Sequence, residues 1–166
     1  MDHFYDKDYS LNNLECVKII GFDVMIVPFD RVHSYSNIDD LFVNNCCLIN
    51  YLQGDNFGHW VAMERQGGVV TFFDPLGNYP DDINRNYDME WQAKPYILNL
   101  IKKSRYTCYY NEDVLQKGFS TCGRWSSLFL RYRAMGYENF CKIFKGTIDN
   151  DDLVTQITGD ILSSSQ

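Results

Sequence analysis

Apolar positions fall along this chain in short runs separated by turn formers, a pattern of strands mixed with helices. Residues 1–15 are polar without a period and read as an N-terminal arm. Residues 17–28, Val-Lys-Ile-Ile-Gly-Phe-Asp-Val-Met-Ile-Val-Pro, read as strand with a break at Gly21. Ser36-Asn37-Ile38-Asp39-Asp40 has a polar cap followed by acids, the signature of a short helix start. The apolar run 45–52 reads as a buried strand. Residues 59–74 read as a hairpin: His59–Met63 runs out, Gln66-Gly67-Gly68 turns, and Val69–Phe73 returns. Such a hairpin lays its ends side by side, so residues 59 and 74 are brought within reach of one another. Pro75, Gly77 and Pro80 break the pattern into a loop.

Residues 89–105 read as helical after Pro95, with basic residues towards the end, and Tyr106-Thr107-Cys108-Tyr109-Tyr110 as a strand. The strongest helix runs from Cys122 to Met135, with apolar residues near 125, 128, 129 and 132 and Gly136 as its stop. A last short helix is expected within 147–162, started by Asn150-Asp151-Asp152, and 163–166 reads as a loose tail. With no repeat, low-complexity block or linker, 1–166 reads as one α+β domain.

Composition narrows the function. Twelve Tyr and eleven Phe lift the aromatic fraction to 16%, in keeping with a β-containing fold. The formal charge of −7 argues against nucleic acid as a partner. Six cysteines show no Cys-x-x-Cys and the chain no His-x-x-x-His, so neither metal nor any other cofactor is expected. Cys46-Cys47 lies in an apolar run and reads as a reduced, packed pair. The polar, acidic start is unlike a signal peptide, and no apolar run reaches about 18 residues. A reduced protein, neither secreted nor in a membrane and monomeric, is expected.

Candidate chemistry comes from His59, Asp74, Gln116 and Cys122, in that order along the chain. Cys122 opens the strongest helix, after the cap-like pair Ser120-Thr121. Unpaired N–H groups and the positive dipole end at a helix N-terminus favour a thiolate, and a nearby imidazolium favours it further. His59 is the base these runs supply; His3 and His33 lie in polar segments. Asp74 is placed to orient His59, and the amide of Gln116, six residues before Cys122, to donate to an oxyanion. Taken singly, each has a plain structural reading: a buried small thiol, a core histidine, a turn aspartate, a loop amide. Trp60 likewise reads more readily as core than as substrate platform. The ordered set favours chemistry.

Gly-His-Trp at 58–60, Thr-Phe-Phe-Asp-Pro-Leu-Gly at 71–77 and Gln-x5-Cys-Gly at 116–123 resemble the Ulp/adenain clan of cysteine proteases over roughly residues 20–145. The segment 71–77 is most similar to the adenain-like maturation proteases of virophages, Maverick/Polinton elements and large DNA viruses. The resemblance implies a papain-like fold, a mixed sheet packed on the helix that starts at the cysteine. It implies peptide-bond hydrolysis next to small, Gly-rich sites through an acyl-enzyme, with Cys122 as nucleophile, His59 as base and acid, Asp74 as orienter and Gln116 as oxyanion donor. Trp60 would wall the substrate cleft. A capsid or structural polyprotein is the implied substrate and the virion or host cytoplasm the implied location; a peptide activator, known in the clan, is left open by these residues. Three features depart from the adenain pattern: Asp74 stands where adenain has Glu, Arg124-Trp125 follows Cys-Gly where smaller or apolar residues are commoner, and this chain is acidic where adenain is basic and binds DNA, with Cys108 in a region similar to that of adenain's cofactor-binding cysteine. The same four residues suit an isopeptidase acting on SUMO or another ubiquitin-like modifier. Some clan relatives acetylate proteins, and a scaffold retaining a dead protease fold is the non-enzymatic alternative.

Overall fold

The computed structural model describes residues 2–54, 57–82 and 94–164. Its frame is a five-stranded sheet whose spatial order equals the chain order: β1 (Met25–Pro28), β2 (Cys46–Gly54), β3 (Phe57–Gln66), β4 (Val69–Phe73) and β5 (Thr107–Tyr110). The three central strands, β2 to β4, run antiparallel to one another, while β1 lies parallel to β2 and β5 parallel to β4, which makes the sheet mixed. Gly67, at φ 55, turns β3 into β4. The fold is therefore the α+β arrangement the pattern predicts.

Both faces of the sheet are buried, which explains why its strands read as nearly continuous apolar runs. Cys46, Leu48, Trp60, Ala62 and Phe73 pack into one core with α1 (Asn13–Ile20), α3 (Cys122–Arg131) and α5 (Asn150–Ser164). Cys47, Ile49, Tyr51, Val61, Met63, Val70 and Phe72 alternate with them and pack into a second core. That second core is completed by α2 (Tyr96–Lys103) and by 3₁₀ turns at Phe29–Ser34 and Ile38–Leu41. Residues Cys122 to Leu130 of α3 are all buried, as expected of a helix enclosed on every side. The cysteines at 46 and 47 are free, fully buried and on opposite faces. Among the described residues no helix is long and apolar enough to cross a membrane.

Several local expectations change. The segment 17–28 is not one strand: residues 13–20 form α1, and only Met25–Pro28 is extended. The reason is a capping box, in which Glu15 N–H donates to the Asn12 side chain (2.9 Å) and Asn12 N–H donates to the Glu15 carboxylate (3.0 Å), closed by Gly21 at φ 87. Residues 2–12 do not stand off as an arm. Asp2–Tyr5 is a 3₁₀ turn, Phe4 and Leu11 are buried, and the fully buried Arg124 donates to the Phe4 and Asp6 carbonyls (2.8 and 3.3 Å) and to Thr158 Oγ1 (2.9 Å). The start is thus docked on α3 and α5. The helix start at 36–42 is a single 3₁₀ turn whose Asn37 side chain makes no capping bond. The strongest helix ends at Arg131 and continues as a 3₁₀ turn to Met135, then Gly136 at φ 82 leads into α4 (Tyr137–Lys142). The last helix is longer than its pattern suggests and takes in residues 163 and 164 of the expected tail. The part of the 89–105 reading before residue 94 lies outside the described residues.

Candidate active site

His59 lies in β3 opposite Tyr51 of β2, and the two rings stack at 6.3 Å and 19°. Asp74 is the first residue after β4. The hairpin brings them together as its geometry predicts: His59 Nε2 donates to Asp74 Oδ1 at 2.8 Å, with both residues almost fully buried. With Nε2 engaged, Nδ1 is the nitrogen left for Cys122, with which the imidazole makes its other side-chain interaction. Burial works against a charged imidazole. The Asp74 charge and hydrogen bond, reinforced by Cys122, outweigh it and push the His59 pKa up to about 10.

Asp74 is held by more than its turn propensity. Its N–H donates to Asn111 Oδ1 (2.9 Å), and Asn111 Nδ2 donates back to the Asp74 carbonyl (2.6 Å). Asn111 follows β5 directly, so the side chain extends the parallel β4–β5 ladder by one rung. Leu76 N–H donates to Asp74 Oδ1 (2.8 Å), and Gly77 N–H to the Asp74 carbonyl (2.8 Å), closing the Asp-Pro-Leu-Gly turn. Gly77 is at φ 76, and a Cβ there would lie 2.8 Å from the Glu112 carbonyl oxygen. The position excludes a side chain on both counts.

The same turn carries the other half of the site. The Pro75 carbonyl accepts from both Leu115 N–H (2.8 Å) and Gln116 N–H (3.0 Å). The loop bearing Gln116 is therefore hung on the turn that fixes Asp74. The Gln116 side chain is buried; its Nε2 donates to the Gly118 carbonyl at 2.6 Å, while Oε1 has no hydrogen-bond partner. One amide hydrogen is thus spent within the loop, and the second makes no hydrogen bond among the described residues.

Cys122 is the first residue of α3, 4% exposed, with Sγ 4.0 Å from the Gly58 carbonyl oxygen. Thr121 occupies the cap position, but its hydroxyl makes no capping bond; it donates instead to Asp151 Oδ1 (2.8 Å). The opening N–H groups of α3 therefore have no side-chain cap, unlike those of α1. Gly123 allows the close approach that follows. A Cβ there would stand 3.1 Å from Trp60 and 3.3 Å from Cys16 Sγ. Trp60 is 7% exposed, packs into the core against this helix start, and accepts from Ser126 Oγ at its carbonyl (2.9 Å).

Three residues of this region escaped the sequence. Asn111 and Asp151 act through hydrogen bonds to residues at least 26 positions away, and nothing in their immediate neighbours signals it. Asp81, at φ 68, accepts from the Ile97 and Leu98 N–H groups that open α2, while its own N–H donates to the Tyr51 hydroxyl behind His59. Burial pushes its pKa up to about 6. A signal existed for Asp81 alone: Asp tolerates the left-handed region better than most residues.

No protein-family model matches the chain, and no curated protein does. Solved structures do. The crystal structure of the ASFV pS273R protease aligns with a TM-score of 0.51 and 15% identity, covering 93% of this chain and 68% of the other. The SUMO protease Ulp1, with its catalytic cysteine oxidised to a sulfenic acid, aligns with a TM-score of 0.50 and 13% identity, covering 97% and 81%. These likenesses establish the fold as the papain-like Ulp/adenain type.

Proposed function

We propose that this chain is a cysteine endopeptidase that cuts beside small residues, with Cys122 as nucleophile, His59 as base and acid, Asp74 as orienter and Gln116 as oxyanion donor. The observation that carries this reading is the buried 2.8 Å His59–Asp74 pair set against a cysteine at the uncapped start of α3. His59 works as an imidazolium facing the Cys122 thiolate. Sγ attacks the scissile carbonyl carbon, and the oxygen becomes an oxyanion facing the Cys122 N–H and the free hydrogen of Gln116 Nε2. His59 passes its Nδ1 proton to the leaving amine, the C–N bond breaks and a thioester remains. Neutral His59 then takes a proton from water, hydroxide displaces the sulfur, and the acid product leaves with His59 again protonated. Asp74 holds Nε2–H throughout, so Nδ1 always faces the thiol. Trp60 contributes to substrate binding through the edge of the helix start, packed as it is.

The resemblance of residues 71–77 to the adenain branch favours a capsid or structural polyprotein as substrate, and hence work in a virion or in host cytoplasm. A second reading, removal of SUMO or another ubiquitin-like modifier, is supported by the shared fold of Ulp1. One experiment separates them. The protein and its Cys122→Ala variant are incubated with a peptide library holding Gly-Gly-x and Gly-x-Gly sites, and with ubiquitin-like modifiers bearing C-terminal electrophiles. Peptide cleavage without modifier labelling is expected. Labelling of Cys122 by a modifier moves the assignment to an isopeptidase, and neither product removes the enzymatic reading.

A further inference from the structure

Asp151 sits in the first turn of α5, far along the chain from Cys122, and is 4% exposed. Its two oxygens take four hydrogen bonds, all from the segment that carries Gln116 and Cys122. Oδ2 accepts from the Lys117 and Gly118 N–H groups at 3.0 and 2.7 Å. Oδ1 accepts from the Thr121 hydroxyl and the Trp125 indole N–H at 2.8 and 3.0 Å. Among the described residues no cation is hydrogen-bonded to this carboxylate; neutral donors hold it. Burial alone would raise its pKa, but the donors from Trp125, Gly118, Thr121 and Lys117 outweigh burial and lower it.

The arrangement matters because of what lies between those donors. Gln116 immediately precedes the two residues whose N–H groups Oδ2 binds, and its Nε2 donates to the carbonyl of one of them, Gly118. Cys122 immediately follows the hydroxyl bound by Oδ1. The carboxylate therefore spans the loop from the side chain of one proposed oxyanion donor to the N–H of the other. It also draws the Thr121 hydroxyl away from the helix end it would otherwise cap, leaving that end open to an anion.

We propose that Asp151 is a positioning residue that holds the Gln116 side chain and the Cys122 N–H at the spacing an oxyanion requires. The proposal rests on the peptidase reading above. It acts on the oxyanion donors and not on the thiol–imidazole pair, since none of its hydrogen bonds reaches His59 or Asp74.

The test is Asp151→Asn in the full chain, beside wild type. An amide offers one acceptor oxygen where the carboxylate offers two and turns an NH₂ towards donors, so two of the four bonds are lost. Displacements on the order of 1 Å at a reacting centre cost about 10²-fold in rate. The expected result is a fall in kcat of roughly 10- to 100-fold with KM within about twofold, and a parallel loss of affinity for a peptide aldehyde, whose adduct carries the oxyanion. The rate of Cys122 alkylation by iodoacetamide, which forms no oxyanion, stays within about twofold of wild type. Thr121→Ala removes one of the four bonds with little threat to folding; it shows the same split, to a smaller degree, even if Asp151→Asn does not fold. Unchanged kcat in a folded variant overturns the proposal. So does a loss of alkylation in step with kcat, because that pattern is general damage to the fold. A wild type that cleaves no peptide overturns the peptidase reading itself and the proposal with it.

Discussion

Asn111→Ala removes the clamp on the Asp74 backbone without touching the proposed machinery. Two bonds to Asp74 and a weaker one to the Asp113 carbonyl (3.3 Å) are lost. The Asp74 carbonyl keeps a partner in Gly77 N–H, whereas the Asp74 N–H, in a residue 1% exposed, has no replacement. An abandoned buried donor costs about 1–3 kcal/mol and the lost bond to the carbonyl about 0.5–1.5 more, so a destabilisation of roughly 2–4 kcal/mol is expected. For a chain of this length that is a fall in melting temperature of about 5–15 °C. Urea unfolding at constant m reports the same quantity. Asn111→Asp, which keeps the acceptor but presents oxygen to two carbonyls beside Asp74, is at least as harmful. Peptidase activity falls less than stability, about tenfold at 20 °C, because Leu76 N–H and His59 still hold the Asp74 carboxylate. A melting temperature within 2 °C of wild type refutes the reasoning, since the clamp would then contribute nothing.

The remaining predictions concern the charged centre. His59 carries a raised pKa, so kcat/KM holds through neutral pH and falls only as pH rises through about 10; a basic limb near 7 contradicts this. The stability linked to this proton has the same sign. It is complete below about 6.5, the ordinary histidine value, and is lost as pH climbs towards about 10, so wild type loses melting temperature over that range more than His59→Gln does. Asp74→Asn moves the basic limb to lower pH and cuts kcat/KM by on the order of 10²- to 10⁴-fold, by analogy with other triads; an unmoved limb means that another group holds the proton. Gln116→Ala lowers kcat by about 10²-fold with Cys122 alkylation preserved, and an unchanged turnover shows the amide to be structural.

Much of the frame was legible because local chemistry and tertiary packing agree there. Gly67-Gly68 turns the hairpin, alternating apolar residues bury both sheet faces, and Cys122 opens the helix that the apolar spacing after it predicts. The meeting of His59 with Asp74 follows from the same hairpin. What was hidden falls into two kinds. The first is competition between periods: Val17 to Ile20 reads as strand when joined to the apolar residues after Gly21, although Asn12 and Glu15 already cap a helix. The second is long-range bonding between a side chain and a distant backbone. Asn111 reaches Asp74, Asp151 reaches residues 117–125 and Arg124 reaches residues 4–6, and no spacing rule encodes such pairs. Arg124, an oddity beside Cys-Gly, finds its explanation there: it fastens the chain's start to α3 and α5.

The central claim is that one thiol among six does the chemistry. Limiting iodoacetamide at neutral pH, followed by mapping of the labelled cysteine and assay of the remaining peptidase activity, tests it most directly. The account predicts that Cys122 takes the first label and that activity falls linearly to zero at one label per chain, with Cys16, Cys46 and Cys47 unlabelled in their buried sites, where burial pushes their thiols up. Activity that survives full labelling of Cys122 contradicts it.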